Sequence, residues 1–292
     1  MTAPPDHDRG LSFDLATMGG RRLMDRRRAL QMVAGAGLAA LVGCGSDDRR
    51  EPAGATTTST GRSSSTSAGS GAGTGSGART ESGAECSTIP EETAGPFPGD
   101  GSNRPNVLAE DGIVRADIRP SFGPASGRAE GVPATLDLAI LDRANGCAPL
   151  AGAAVYVWHC DRDGRYSLYS AGAESANYLR GVQAADAGGA VSFTTIFPGC
   201  YPGRWPHIHF EVYPSVADAT GGGSVLTTSQ LAIPEDTCNR VYAADGYAES
   251  VTNLASLALA SDMVFADGSA LQLATATGGV DDGVAMRLSV VV

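Results

Sequence analysis

PGCYPGRWPHIHFEVY, residues 198–213, holds two tyrosines, an arginine and two of the chain's four histidines. From Trp205 onward it has the composition of a strand. Successive side chains of a strand point to opposite faces, so His207 and His209 share one face and Ile208 takes the other. The stretch reads as a strand that also carries a site, because two imidazoles on one face can share one metal ion.

Outward from it the strand pattern repeats. ATLDLAIL (134–141) sets Leu136, Leu138 and Ile140 on one face, and AAVYVWHC (153–160) is β-branched and aromatic. GAVSFTTIF (189–197), SVLTTSQLAI (224–233) and AMRLSVVV (285–292) continue the series, separated by clusters of Gly, Pro, Asp and Asn. VTNLASLALAS (251–261) suits a short helix or a strand. No long helical period intervenes, so the fold class is all-β, an antiparallel β-sandwich.

The first 85 residues read differently. In MDRRRALQMVAGAGLAALVGCGS (24–46), three arginines precede an uncharged run ending at Cys44. That run is about fifteen residues, short of the roughly twenty that span a bilayer as a helix. LVGC (41–44) resembles a bacterial lipobox and DRRRALQ (25–31) a loose twin-arginine motif. Residues 1–43 are therefore expected to be an export signal, with Cys44 lipidated as the first mature residue. Residues 44–85, dominated by Ser, Thr, Gly and Ala, read as a flexible tether. Residues 86–292 form the domain, expected on the outer face of the cytoplasmic membrane or at the cell surface, by the Tat or the Sec route. Its only membrane attachment would be the lipid on Cys44.

Net charge is −11, which argues against nucleic acid as a partner. Five cysteines, Cys86, Cys147, Cys160, Cys200 and Cys238, follow Cys44. In an exported domain they are expected to form at most two disulfides, in pairings that sequence does not fix.

The histidine pair gains meaning from its neighbours. The domain has one other histidine, His159, and no Cys-x-x-Cys, so a zinc site is poorly supported. Tyr201 lies six residues before His207, and Tyr166 closes WHCDRDGRYS (158–167) after another strand. Phenolate is a hard, strongly donating anion that suits ferric iron. Two phenolates and two imidazoles would leave Fe(III) at a net +1.

CAPLAGAAVYVW (147–158) and DAGGAVSFTTIFPGCY (186–201) also suit a non-catalytic sandwich of the transthyretin or carboxypeptidase-regulatory type, a cell-surface binding module. Taken with PEETAGPF (90–97), CDRDGRYS (160–167), GRWPHIHF (203–210) and SQLAI (229–233), however, they resemble the intradiol ring-cleavage dioxygenases, and most closely the short exported members. The resemblance spans about residues 86–235. It implies a non-haem Fe(III) enzyme that inserts both atoms of O2 into a catechol-type diol, cleaving between the hydroxyls to a cis,cis-muconate. It further implies Tyr166, Tyr201, His207 and His209 as metal ligands, Tyr201 being the one that leaves. Arg204 would stabilise charge on the ring, and Gln230 would stand near the same pocket. Tyr156 and Tyr169 would pack, and His159 would not be a ligand. Two positions depart from the pattern: Trp205–Pro206 in the turn before His207, and Cys200 beside Tyr201. A disulfide is expected at Cys200, with Cys238 as first partner.

Overall fold

Alternation along Pro133–Asp142 (β1) is strict: Ala134, Leu136, Leu138 and Ile140 are buried, while the residues between them are partly exposed. The computed structural model describes residues 86–292, and within them β1 is the hub of a five-stranded sheet. One edge of β1 pairs with Ala148–Pro149 (β2) and Ala190–Ile196 (β5), and the other with Gly283–Val291 (β9). Thr275–Gly279 (β8) closes the far side of β9. A second sheet has the order β4-β3-β6-β7, made of Arg180–Ala184 (β4), Ala154–Trp158 (β3), His207–Tyr213 (β6) and Thr227–Ala232 (β7).

The sheets pack face to face. Leu136 and Ile140 join Val157, Phe193, Phe210 and Met286 in one buried cluster. Each such side chain contributes about 1.5–3 kcal/mol by leaving water. Every pair of named strands is antiparallel, as expected, except β1 and β9, which run parallel through Ala134↔Val284 to Leu141↔Val291.

Three strands were not anticipated, the two-residue β2 among them. β4 (RGVQA) has a weak strand signature, but residues 113–118 cover its edge. Arg115 N donates to Val182 O (3.0 Å), Val182 N donates to Ile113 O (2.8 Å), and a side chain at Gly181 would strike Ile118. β8 (TATGG) is short, glycine-ended and largely exposed, so its pairing with β9 defines it. Helices Val216–Gly221 (α1), Glu235–Val241 (α2) and Ala248–Leu254 (α3) follow β6 and β7. The ambiguous 251–261 segment resolves into the end of α3 and a 3-10 turn at Leu259–Ser261.

All seven residues of β6 are buried because both its faces are covered. Ile208, Phe210 and Val212 enter the core between the sheets. The opposite face lies beneath loops that contribute Val107, Leu108, Ile113, Tyr166 and Tyr169 to a second cluster around Tyr156 and Trp158. His207 and His209 point into that covered face, as the alternation required.

One disulfide, Cys86–Cys147, joins the start of the domain to the turn before β2. Cys160, Cys200 and Cys238 are buried free thiols, which corrects the expected Cys200–Cys238 bridge. Cys200 Sγ instead faces the backbone carbonyls of Arg204 (3.8 Å) and Tyr201 (4.0 Å), an arrangement that suits a thiol donor. The expected export signal, lipobox and tether lie outside the described residues.

Candidate metal centre

His207 and His209 leave β6 on one face, and their Nε2 atoms stand 3.1 Å apart. Tyr201 Oη lies 3.2 Å and Tyr166 Oη 3.4 Å from His207 Nε2. The four residues singled out in the sequence therefore bring two phenol oxygens and two imidazole nitrogens together. Donors about 2.1 Å from a common ion lie about 3 Å from one another, so this spacing fits a single metal ion. Among the described residues no group of three or more His, Cys, Asp or Glu side chains is arranged to hold a metal, and tyrosine supplies the oxygen donors here.

Loop geometry brings the tyrosines in. After β3, Asp161 Oδ1 accepts from the backbone N–H groups of Asp163 (3.0 Å) and Arg165 (2.9 Å), which folds DRDGRY into a tight turn. Gly164 takes φ +79°, and a Cβ there would lie 3.0 Å from Tyr201 Cβ. A side chain at Gly199 would meet Arg162 O at 2.4 Å. The two glycines let the Tyr166 and Tyr201 loops touch. Behind Tyr166, the buried Arg180 donates to Ser167 Oγ (3.1 Å), Ser167 O (3.0 Å), Phe97 O (2.9 Å) and Pro98 O (2.8 Å). It clamps the Tyr166 loop to the segment that lays Phe97 against the Tyr166 ring at 4.9 Å.

The two imidazoles are held differently. His207 Nδ1–H donates to Trp205 O (2.5 Å), which leaves Nε2 its lone pair. His209 Nδ1 is buried with no hydrogen-bond partner, and its ring lies on Trp158 instead. The Trp205 departure is also accounted for. Its indole N–H donates to Ile233 O (2.8 Å) and its backbone N–H to Asp262 Oδ2 (2.7 Å), so this residue fixes the turn that His207 leans on.

Burial, followed by the Tyr201 phenol, raises the Tyr166 phenol well above its ordinary value. Burial lifts Tyr201 to about 12 although Arg204 opposes the rise. Burial and then Arg204 lower His207 to about 3, and burial and then His207 push His209 well below its ordinary value. Four neutral donors, three of them buried and Tyr201 partly so, with no acid among them, suit a cation, whose charge reverses this preference at the phenols.

Arg204 is buried and pairs with Asp262, Nε to Oδ2 at 3.0 Å. Its Nη2 donates to Gln230 Oε1 (2.7 Å), and Gln230 Nε2 donates to Thr93 O (2.8 Å). Gln230 stands directly opposite His209 in the β6–β7 register. Asp262 was missed by sequence reading, because it lies 58 residues from Arg204 in a stretch with no distinguishing pattern.

His159, Tyr156 and Tyr169 find their hydrogen-bond partners outside the four donors. His159 Nδ1–H donates to Cys160 O (2.8 Å), and Nε2 accepts from Thr195 Oγ1 (2.7 Å). The hydroxyls of Tyr156 and Tyr169 donate to Pro98 O and Asn103 Oδ1, both at 2.6 Å.

A family model described as Dioxygenase matches residues 121–208. Among solved structures, the chain is similar to an intradiol ring-cleavage dioxygenase from Tetranychus urticae, with 25% identity, coverage of 62% of this chain and 87% of that one, and a TM-score of 0.51. It is also similar to a second dioxygenase crystal structure, with 25% identity, coverage of 71% and 94%, and a TM-score of 0.56. No curated protein matches the chain.

Proposed function

Because the domain resembles the intradiol ring-cleavage dioxygenases in fold and matches the dioxygenase family model over residues 121–208, we propose that it is a non-haem ferric intradiol dioxygenase. Its substrates in this reading are O2 and a catechol-type aromatic diol, and its product is a cis,cis-muconate. The observation that carries the proposal is the convergence of Tyr166, Tyr201, His207 and His209, four buried or partly buried donors about one ion's width apart. Bound by these residues, Fe(III) would act as a Lewis acid and template for the two diol oxygens.

The chain's own residues then have distinct tasks. Tyr166, buried and clamped by Arg180 through the next residue, is the phenolate that stays. Tyr201 is only partly buried, so with iron bound its phenolate Oη would be the base that takes one diol proton and moves aside. His207 and His209 hold fixed neutral donors on the strand. Arg204, steadied by Gln230, supplies positive charge where the ring gathers negative charge. We further propose that an export signal and a lipid on Cys44 carry the domain to the outer face of the membrane; Cys44→Ala should then release the protein into the soluble fraction.

The test is optical. With ferric iron bound, a tyrosinate-to-iron absorption should colour the protein red, and anaerobic catechol should shift the band. Oxygen uptake with a panel of diols then identifies the substrate. A protein that stays colourless with added ferric iron overturns the reading in favour of a binding module.

A further inference from the structure

Arg204 has three nitrogens, and the protein occupies two of them. Nε donates to Asp262 Oδ2 at 3.0 Å and Nη2 donates to Gln230 Oε1 at 2.7 Å, with Asp262 Oδ1 a further 3.4 Å partner of Nη2. Nη1 makes no hydrogen bond within the described residues. Asp262 is itself fixed, because its carboxylate also accepts from the backbone N–H groups of Trp205 (2.7 Å), Val264 (2.9 Å) and Phe265 (3.4 Å). Asp262 is thus anchored to backbone beside Arg204, in a pair whose side chains are 3% and 1% exposed.

A guanidinium presents five N–H groups in a planar fork, and a carboxylate on its Nε edge fixes that plane. Arg204 Nη2 bonds Gln230, which stands directly opposite His209 in the β6–β7 pair, so the guanidinium lies beside the donor cluster. A donor that is already aimed when charge develops needs no reorganisation in the transition state. We infer that Asp262 is a positioning residue for the proposed reaction: with Gln230 it takes the Nε and Nη2 edge of Arg204 and leaves Nη1 as the donor for the reacting diol. The inference rests on the ferric dioxygenase reading.

The experiment has two stages, both on the whole chain loaded with ferric iron. Wild type is first examined for the visible tyrosinate band, its shift with anaerobic catechol, and catechol-dependent oxygen uptake. Failure at this stage overturns the dioxygenase reading and this role with it. With wild type active, Asp262→Asn is expected to keep the band at wild-type intensity per chain. Its kcat should fall about tenfold to a hundredfold while KM moves less than about threefold. On an Arg204→Ala background the same change should cost less than about twofold more, since its target is already gone. Asp262→Glu, which keeps the charge, should recover part of the rate and serves in the same cycle if the Asn variant does not fold. Wild-type kcat per iron in Asp262→Asn, or an equal loss with and without Arg204, overturns the assignment while leaving the dioxygenase reading intact.

Discussion

Trp158 lies face to face with His209, ring centroids 5.0 Å apart and planes 6° from parallel, and the two residues are direct neighbours in the β3–β6 pair. His209 Nδ1 has no hydrogen-bond partner, so this stack sets the plane of its ring. Trp158 Nε1 is likewise without a partner, and replacing the indole strands no acceptor. Trp158→Phe should therefore keep a flat support and hold ferric iron well. Trp158→Leu should lose iron about tenfold more readily, as seen in iron content after dialysis against a chelator.

The four donors and the arginine should separate cleanly. Tyr166→Phe and His209→Ala each remove a donor from a buried set and should abolish both retained iron and the visible band. Arg204→Ala should keep the band and lower kcat by about a hundredfold or more. Absorption spectra and oxygen uptake on the same preparations check both. An Arg204→Ala variant with normal turnover would contradict the role given to that residue.

Acid should destabilise the domain partly through His159, which is buried and bonded as the neutral ring. Burial lowers it from 6.5 to about 4. Between those values the unfolded chain binds the additional proton, so stability is full above about 6.5 and falls as pH drops towards 4. For this one group the loss reaches up to about 3 kcal/mol. His159→Gln should flatten the dependence of Tm on pH in that window, and a slope unchanged from wild type would refute the contribution.

Reduction should act through the one disulfide among the described residues. The Cys86–Cys147 bridge closes a separation of 61 residues, worth up to about 4 kcal/mol on loop entropy. Reductant should lower Tm without bleaching the iron band. A thiol reagent should find Cys160, Cys200 and Cys238 only after unfolding, because all three are buried. Rapid labelling of Cys200 in the native protein would contradict its placement.

The readable features were those encoded by local period. Leu136, Leu138 and Ile140 face the core and His207 and His209 face away from it because a strand alternates, and alternation is visible in eight residues. Tyr166 and Tyr201 were readable because CDRDGRYS and FPGCY belong to the motifs that carry the resemblance to the intradiol dioxygenases. Asp262 was not, since a single carboxylate in a loop acquires its meaning only from an arginine that the fold brings to it. β4 was hidden for a related reason, because RGVQA becomes a buried strand when residues 113–118 pair with its edge. Cys200 misled because proximity to a metal ligand suggested a bridge, whereas the structure tucks the thiol against carbonyls.

β9 runs parallel to β1 in the middle of the five-stranded sheet, with β8 hanging on its other edge. Strands about 150 residues apart in sequence, the first and the last of the domain, are thereby hydrogen-bonded neighbours. The sheet cannot close until residues 283–291 have been synthesised, and every pairing of β1 with β9 spans about 150 residues. Such topologies fold slowly. During translation the domain waits with one edge of β1 unpaired, and ribosomes stalled before β9 should carry nascent chains that proteases still digest.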